Sequence, residues 1–382
     1  MHVFSDPESV NSHMARSSSV QRAVDCFLGI PAVALLRLIR RKKTLPQSFR
    51  SVGIICPTAI GDLILASGII RRIHENFPDC EIHLFHGKSN SGAVTLLPSF
   101  VVSNECDFTK VLNVIRCIRR RKLDCVIDVT PWPRLTAICA GLANAPTVGF
   151  KTKGQFRHGL FDVVIDHSQS RHEVDNFSAI ADVFGKGHVY KVLMRDYHRE
   201  YNFKECLENV VLCHPCAGGT RAEAKSWPIE YWTELCRRLL SLGLKVVFTG
   251  TKADELVVEK ILDAVKRDEQ EAFSLCGKMS LEEMMGALAK CRLFVTVDTG
   301  VMHLADALGV PMVALFGPTS LMRWGPRSNN ALVVQSLHRG SGYISLGFEK
   351  SIYENQVMAA IPVEQVFSEI RNLLCSTGPA VQ

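Results

Sequence analysis

Three short stretches combine residues that could do chemistry with glycines that let a ligand come close: CPTAIGDLILASG (Cys56–Gly68), CHPCAGGTRAEAKSWP (Cys213–Pro228) and DTGVMHLADALGVP (Asp298–Pro311). In the first, Asp62 follows Gly61 at a loop-to-helix junction. A carboxylate there either caps the helix or, projecting into a cleft between domains, serves as a general base. In the second, Ala217, Gly218 and Gly219 permit close backbone approach and Thr220 offers a hydroxyl. Lys225 adds a cation just ahead of a helix, worth up to about 4 kcal/mol against a phosphate oxygen at about 4 Å before desolvation. In the third, Thr299 and Gly300 open a helix whose free N–H groups favour an anion such as a diphosphate. The dipole contributes only about 0.3–1 kcal/mol at exposed sites, so backbone hydrogen bonds must supply the rest. His303 falls on the first turn of that helix, where ligand contact and simple packing weigh evenly. Gly317 and Thr319, in GPTS after an apolar strand, are turn residues placed to touch phosphate or ribose.

The cysteines of CHPC also spell a redox or metal motif. A structural zinc site needs four ligands, and no second close pair accompanies Cys213 and Cys216. A redox centre would put the pair at a helix N-terminus, whereas Cys213 belongs to the strand-like run VVLCH. The stretch therefore reads as a phosphate-side loop, with no metal and no cofactor expected.

These residues need elements to hold them. From Ser51 onward, short β-branched runs (SVGIIC, EIHLFH, DCVIDV, TVGF) alternate with amphipathic segments at Asp62–Phe77 and Val111–Lys122. A second series, NVVLCH, LKVVFTG, RLFVTVD and PMVALFG, is interleaved with helices at Pro228–Leu242, Ala253–Lys266, Ser280–Lys290 and Gly300–Leu308. Such alternation predicts parallel sheets covered on both faces, and 382 residues suit two domains. We expect an α/β chain of two Rossmann-like domains, 51–195 and 209–361, with a linker at about Tyr190–Glu208 and a C-terminal helix and tail over 362–382. In open sheets of this kind ligands bind at the carboxyl ends of strands, which is where all three stretches fall.

Residues 1–50 read as a mobile polar start followed by the apolar stretch Ala23–Lys43, interrupted by Pro31 and Arg37 and too short to span a bilayer. Its basic end, Arg37, Arg40, Arg41, Lys42 and Lys43, is worth about 1 kcal/mol per cation near anionic headgroups. A monotopic contact with an anionic membrane surface is expected, with packing on the protein's own body as the alternative. Net charge is +6, from 44 basic and 38 acidic residues, too little to imply nucleic-acid binding. Fourteen scattered cysteines and no apolar signal segment in the first 20 residues point to the cytoplasm.

Taken together, the blocks GDLILASGIIRRIHENFPDCEIHLF, HPCAGGTRAEAKSWPIEYWTELCRRLLSLGLKVVFTG and LCGKMSLEEMMGALAKCRLFVTVDTGVMHLADALGVPMVALFGPTS resemble the heptosyltransferases of glycosyltransferase family 9. The resemblance covers most of Ser51–Leu374. It implies the GT-B fold, with two Rossmann-like domains facing a central cleft. It also implies inverting, metal-independent transfer of a heptose or related sugar from a nucleotide-sugar such as ADP-heptose to a lipopolysaccharide-core or similar glycan acceptor. By residue, it makes Asp62 the base and Lys225 the partner of the donor diphosphate. Asp298, Thr299, Gly300 and His303 match the donor motif, and Lys278 in GKMSL matches a position near the nucleotide-sugar. The sequence departs from the family at Ala66, Ser67 and Gly68, at Cys216, and in a long loop from His214 to Lys225 that leaves the role of Thr220 open. Rival readings are a sugar-nucleotide epimerase of the same fold and a non-catalytic, membrane-associated nucleotide-sugar-binding protein.

Overall fold

The computed structural model describes residues 19–186, 190–195, 209–219, 221–265 and 271–376. Its first sheet holds β1 (Ser51–Cys56), β2 (Glu81–His86), β3 (Val101–Glu105), β4 (Cys125–Asp128), β5 (Thr147–Lys151) and β6 (Val163–Asp166). They lie in the order β3-β2-β1-β4-β5-β6, every neighbouring pair parallel. The second sheet holds β7 (Val210–His214), β8 (Lys245–Phe248), β9 (Ala272–Ser274), β10 (Leu293–Val297), β11 (Met312–Phe316) and β12 (Ala331–Gln335). Its order, β12-β11-β10-β7-β8-β9, is the same topology repeated, again all parallel. This is the doubly wound order in which the crevice opens between the first and fourth strands of each half. Those strands are β1 and β4 in one sheet and β7 and β10 in the other, the strands that carry Asp62, Lys225 and Asp298 in the loops and helix that follow β1, β7 and β10. Their residues are almost wholly buried, as expected of strands covered on both faces.

One apolar cluster runs through both halves. It includes Ile54, Leu63, Ile64 and Ile69 on the first side and Met302, Leu304, Phe294 and Met312 on the second. The seam is the meeting of the helix Ile60–Asn76 with the helix Gly300–Leu308. A methyl group built on Gly61 would lie 2.7 Å from His303 Cδ2, and one on Gly300 would lie 3.1 Å from Ile60 Cβ and 3.2 Å from the Gly61 nitrogen. Two glycines thus let the helix starts of opposite domains touch.

Polar contacts reinforce the seam. Glu173 is buried and accepts from Arg323 Nε at 2.9 Å and contacts His167 Nε2 at 3.0 Å. Burial alone would raise the Glu173 carboxyl, but the hydrogen bond from His167 and the Arg323 guanidinium outweigh it and hold it down to about 2. His172 donates from Nε2 to the Gly325 carbonyl at 2.8 Å while its Nδ1 accepts from Val174 N–H, which fixes one neutral tautomer. Arg327 closes a forked pair on Asp175 at 2.6 and 3.1 Å.

The segment expected to be a linker begins as packed structure. Tyr190 donates its hydroxyl to the Leu65 carbonyl at 2.6 Å, Leu193 N–H donates to Ser67 Oγ at 2.8 Å, and Arg195 reaches Glu282 of the second half at 3.0 Å. Ser67 and Gly68, which depart from the family pattern, explain this: a methyl on Gly68 would collide with the Tyr190 ring at 2.4 Å. The departure serves helix packing. Residues 196–208 lie outside the described set.

The N-terminal segment forms two helices, Ser19–Phe27 and Gly29–Ile39, and no helix among the described residues is long and apolar enough to cross a membrane. Gly29, Val33 and Leu36 face the body at helical spacing, Val33 joining and Leu36 packing against the apolar cluster that includes Ala137 and Leu160. Arg40, counted above among cations free for headgroups, is instead paired with Asp162 and also donates to Thr147 Oγ1 and the Gly141 carbonyl. Burial of Asp162 against β5 creates that demand. Lys43 is likewise engaged, by Asn144, which leaves Arg37, Arg41 and Lys42 exposed. Outward stand Phe27, Leu28, Leu35, Leu38 and Ile39, between 61% and 84% exposed.

Replacing Gly300 by Ala must separate the two helix starts, because the atoms it meets include backbone. The expected loss is about 1–3 kcal/mol in urea unfolding. Gly92→Ala, where a methyl meets nothing within 4 Å, should leave stability unchanged or higher by up to about 1 kcal/mol.

Candidate active site

The carboxyl edges of the central strands bring the sequence-predicted residues together across the seam. Asp62 sits in the first turn of the helix Ile60–Asn76, 8% exposed, and its Oδ2 accepts from Ala59 N–H at 3.2 Å. Capping is thus part of its role. Because Gly61 abuts His303, the same carboxylate stands beside the helix Gly300–Leu308, near enough for its charge to act on His303.

In the second half, Lys225 ends a short 3-10 turn, Glu223–Lys225, and its Nζ donates to Asp298 Oδ2 at 2.7 Å. Asp298 immediately follows β10 and takes a second hydrogen bond from Thr319 Oγ1 at 2.8 Å. Burial would raise the Asp298 carboxyl, but Lys225, His303 and the Thr319 hydroxyl together bring it below the usual range. Thr319, expected at phosphate or ribose, therefore orients Asp298. Gly317 also has a packing reason, since a methyl there would lie 2.4 Å from the Met358 sulfur.

Thr299 precedes the helix Gly300–Leu308 in extended conformation and makes no side-chain cap, so the first-turn amides have no partner from its side chain. His303 is buried, its Nδ1 has no hydrogen-bond partner, and Trp324 packs 6.2 Å away centroid to centroid. Burial lowers its pKa despite the neighbouring Asp298 and Asp306 carboxylates. A neutral imidazole with a buried, unpaired nitrogen favours ligand contact over packing alone. Lys278 stays apart: its Nζ donates to the Ser274 carbonyl at 3.1 Å and makes no hydrogen bond or ion pair with the Lys225–Asp298 group. Thr220 lies outside the described residues.

Two groups near the edge prove structural. Asp128, at the end of β4 and so a rival carboxylate beside Asp62, is fully buried in an ion pair with Arg157 and hydrogen-bonded by Thr130. Cys213 is a buried strand residue, and burial pushes the Cys216 thiol up to about 12, the opposite of an activated thiol. Among the described residues no cluster could hold a metal ion. Sequence reasoning missed the latch of Glu173, Arg323 and His167, for which no spacing gives a signal, and His214, whose Nδ1 contacts Thr249 Oγ1 at 2.9 Å at the end of β7.

Burial lowers the His214 pKa to about 4. The unfolded chain then binds the extra proton near pH 6.5 while the folded chain refuses it, so stability falls as pH drops from about 6.5 towards 4. The contribution is about 3 kcal/mol in full. His214→Gln should flatten that part of the pH profile of thermal unfolding, though His172 and His303, shifted the same way, leave some slope.

Comparison with known proteins bears on the fold and the family. The heptosyltransferase 2 of Haemophilus ducreyi is 31% identical over 44% of this chain and 49% of its own length, so the chain spans about half of that relative. The lipooligosaccharide heptosyltransferase 2 of Campylobacter jejuni is 30% identical over 73% of this chain and 84% of its own. The structure of the Escherichia coli ADP-heptose LPS heptosyltransferase II superposes with a TM-score of 0.69 at 22% identity, covering 85% of this chain and 99% of that one. The model of glycosyltransferase family 9 (heptosyltransferase) matches residues 111–343, and the chain belongs to that family.

Proposed function

We propose that the protein transfers a heptose from ADP-heptose to a lipopolysaccharide-core acceptor with inversion at the anomeric carbon. The observation that carries this is the seam itself: Gly61 against Gly300 and His303 brings the start of the Asp62 helix against the start of the helix that follows Asp298, the partner of Lys225. Similarity to heptosyltransferases supports the sugar and the acceptor class.

In this reading Asp62 takes the proton of the acceptor hydroxyl as its oxygen bonds to the anomeric carbon. The bond from that carbon to the diphosphate breaks, and its electron pair leaves with the phosphate. Lys225 and the amides of the Gly300 helix meet the charge where it develops. Asp298 keeps the Lys225 ammonium in place before the donor arrives, so little reorganisation accompanies charge transfer. His303 Nδ1, buried and without a hydrogen-bond partner, is assigned to the donor in this reading. No metal ion is assigned a role. The two exposed apolar helix faces, with Arg37, Arg41 and Lys42, support peripheral contact with the cytoplasmic face of the inner membrane.

Purified protein with ADP-heptose and a deacylated core oligosaccharide should give glycosylated product by mass spectrometry, at a rate EDTA does not change. Asp62→Asn should lower kcat by about 10²–10⁴ with donor affinity kept. Lys225→Ala should cost about 10²–10³ in kcat and also weaken ADP binding. Product formation by Asp62→Asn at near the parental rate would remove Asp62 as base. Consumption of donor without acceptor would favour the epimerase reading.

A further inference from the structure

We propose that the N-terminal helix pair relays contact with an anionic lipid surface to the donor site, so that transfer is faster on a bilayer than free in solution. The inference rests on the membrane reading above and adds a mechanism to it. Its basis is that one short helix, Ser19–Phe27, grips both domains on one side and is apolar on the other.

Toward the first domain, Asp25 accepts from Arg134 backbone N–H at 2.9 Å and from the Arg134 guanidinium at 2.8 Å. Toward the second, the Arg22 guanidinium lies over the Phe348 ring, 4.9 Å from its centroid. Phe348 in turn packs on Trp132 of the first domain, with ring centroids 5.0 Å apart and planes tilted by 58°. Trp132 lies just past β4, whose extension pairs with β1 through Val129 N–H and the Ile55 carbonyl. It therefore stands at the same carboxyl edge as the Asp62 loop. Arg22, Phe348 and Trp132 form a clasp from helix to loop to loop across the domain boundary. Val24, Phe27 and Leu28 project from the far side of the helix, each at least half exposed.

Phe348 sits at the end of a stiff lever. The amides of Leu346, Gly347 and Phe348 all donate to the Glu349 carboxylate, at 2.8 to 3.1 Å. Ser345 is held by Arg323, at 2.9 Å to its carbonyl and 3.0 Å to its hydroxyl, and by Trp324 Nε1 at 2.8 Å. Ile344 is laced to the donor strand end, its N–H to the Pro318 carbonyl at 2.7 Å and its carbonyl from Ser320 N–H at 2.8 Å. Between those two residues stands Thr319, whose hydroxyl holds Asp298. A continuous chain of short contacts thus leads from Arg22 to the carboxylate that positions Lys225.

A surface can shift such an element only if it binds the docked state better than the undocked one. Docking supplies that difference. Asp25 with Arg134, and Arg40 with Asp162, fix both helices on the body with their remaining apolar residues outward and Arg37, Arg41 and Lys42 exposed. A bilayer holding that face therefore holds the clasp, and by linkage donor binding tightens membrane binding in return.

The test uses the full chain, vesicles of phosphatidylethanolamine with phosphatidylglycerol, and neutral phosphatidylcholine vesicles for comparison. Anionic vesicles should sediment the protein and raise the rate on deacylated acceptor by about fivefold, and tighten ADP binding, where neutral ones do not. Arg22→Ala and Phe348→Ala should still sediment but lose both gains. The double variant Phe27→Asp with Leu38→Asp should neither sediment nor respond. Failure of the parent protein to sediment overturns the membrane reading. Sedimentation with rate and ADP affinity unchanged overturns the relay alone, as does a full response in Arg22→Ala. An equal response to neutral vesicles overturns the anionic specificity.

Discussion

The site depends on the approach of two helix N-termini from different sheets, allowed by hydrogen atoms at Gly61 and Gly300 where other residues carry a Cβ. A side chain at either place would drive the Asp62 helix off the helix of His303. Everything with a chemical role is arranged around that contact. The two positive helix ends face one crevice, and both carboxylates there, Asp62 and Asp298, sit where backbone N–H groups and dipoles favour anions. Two sheets of identical strand order make this natural: each offers its switch point, and the glycines bring the switch points face to face.

The electrostatics are those of a site built to receive negative charge while carrying little excess charge of its own. Lys225 is matched by Asp298, and Thr319 spends its hydroxyl on orienting that carboxylate. A bare buried ammonium would shed its proton or swing outward. Paired with Asp298 at 2.7 Å, the Lys225 ammonium is held in one position. Burial lowers the His303 pKa, while Lys225, His303 and the Thr319 hydroxyl together hold the Asp298 carboxyl below its usual range against the same burial.

Much of this was legible in the residues. The buried central strands and the helices behind them came from plain apolar runs and 3.6-residue periodicity, with ends within one or two residues for most. The strands that escaped notice, β3, β6, β9 and β12, are the four sheet edges. Their outer sides are solvated, so a run such as Val163–Asp166 alternates between part-buried and exposed and carries little apolar signal. At the site, glycine spacing and a lone lysine pointed to the loops that the fold sets at the strand ends. What spacing does not encode is pairing across the domain boundary. The hydrogen bond from Thr319 to Asp298 at 2.8 Å has no sequence signal, and Glu173 and Arg323, 150 positions apart, have no local pattern at all.

That last pair also explains why the domains meet in one orientation. An apolar seam tolerates sliding, since dispersion is nearly indifferent to small shifts along a smooth face. A buried carboxylate does not: Glu173 displaced from Arg323 and His167 would be an uncompensated charge costing several kcal/mol. Replacing the trio by apolar residues could be neutral for stability, yet it would surrender register. With His172 bound to the Gly325 carbonyl and Ser345 tied to the same Arg323, the ionic contacts fix the angle at which the donor strand end faces Asp62. Specific orientation, more than net stabilisation, is what a chain gains from sealing charge inside the seam between its two halves.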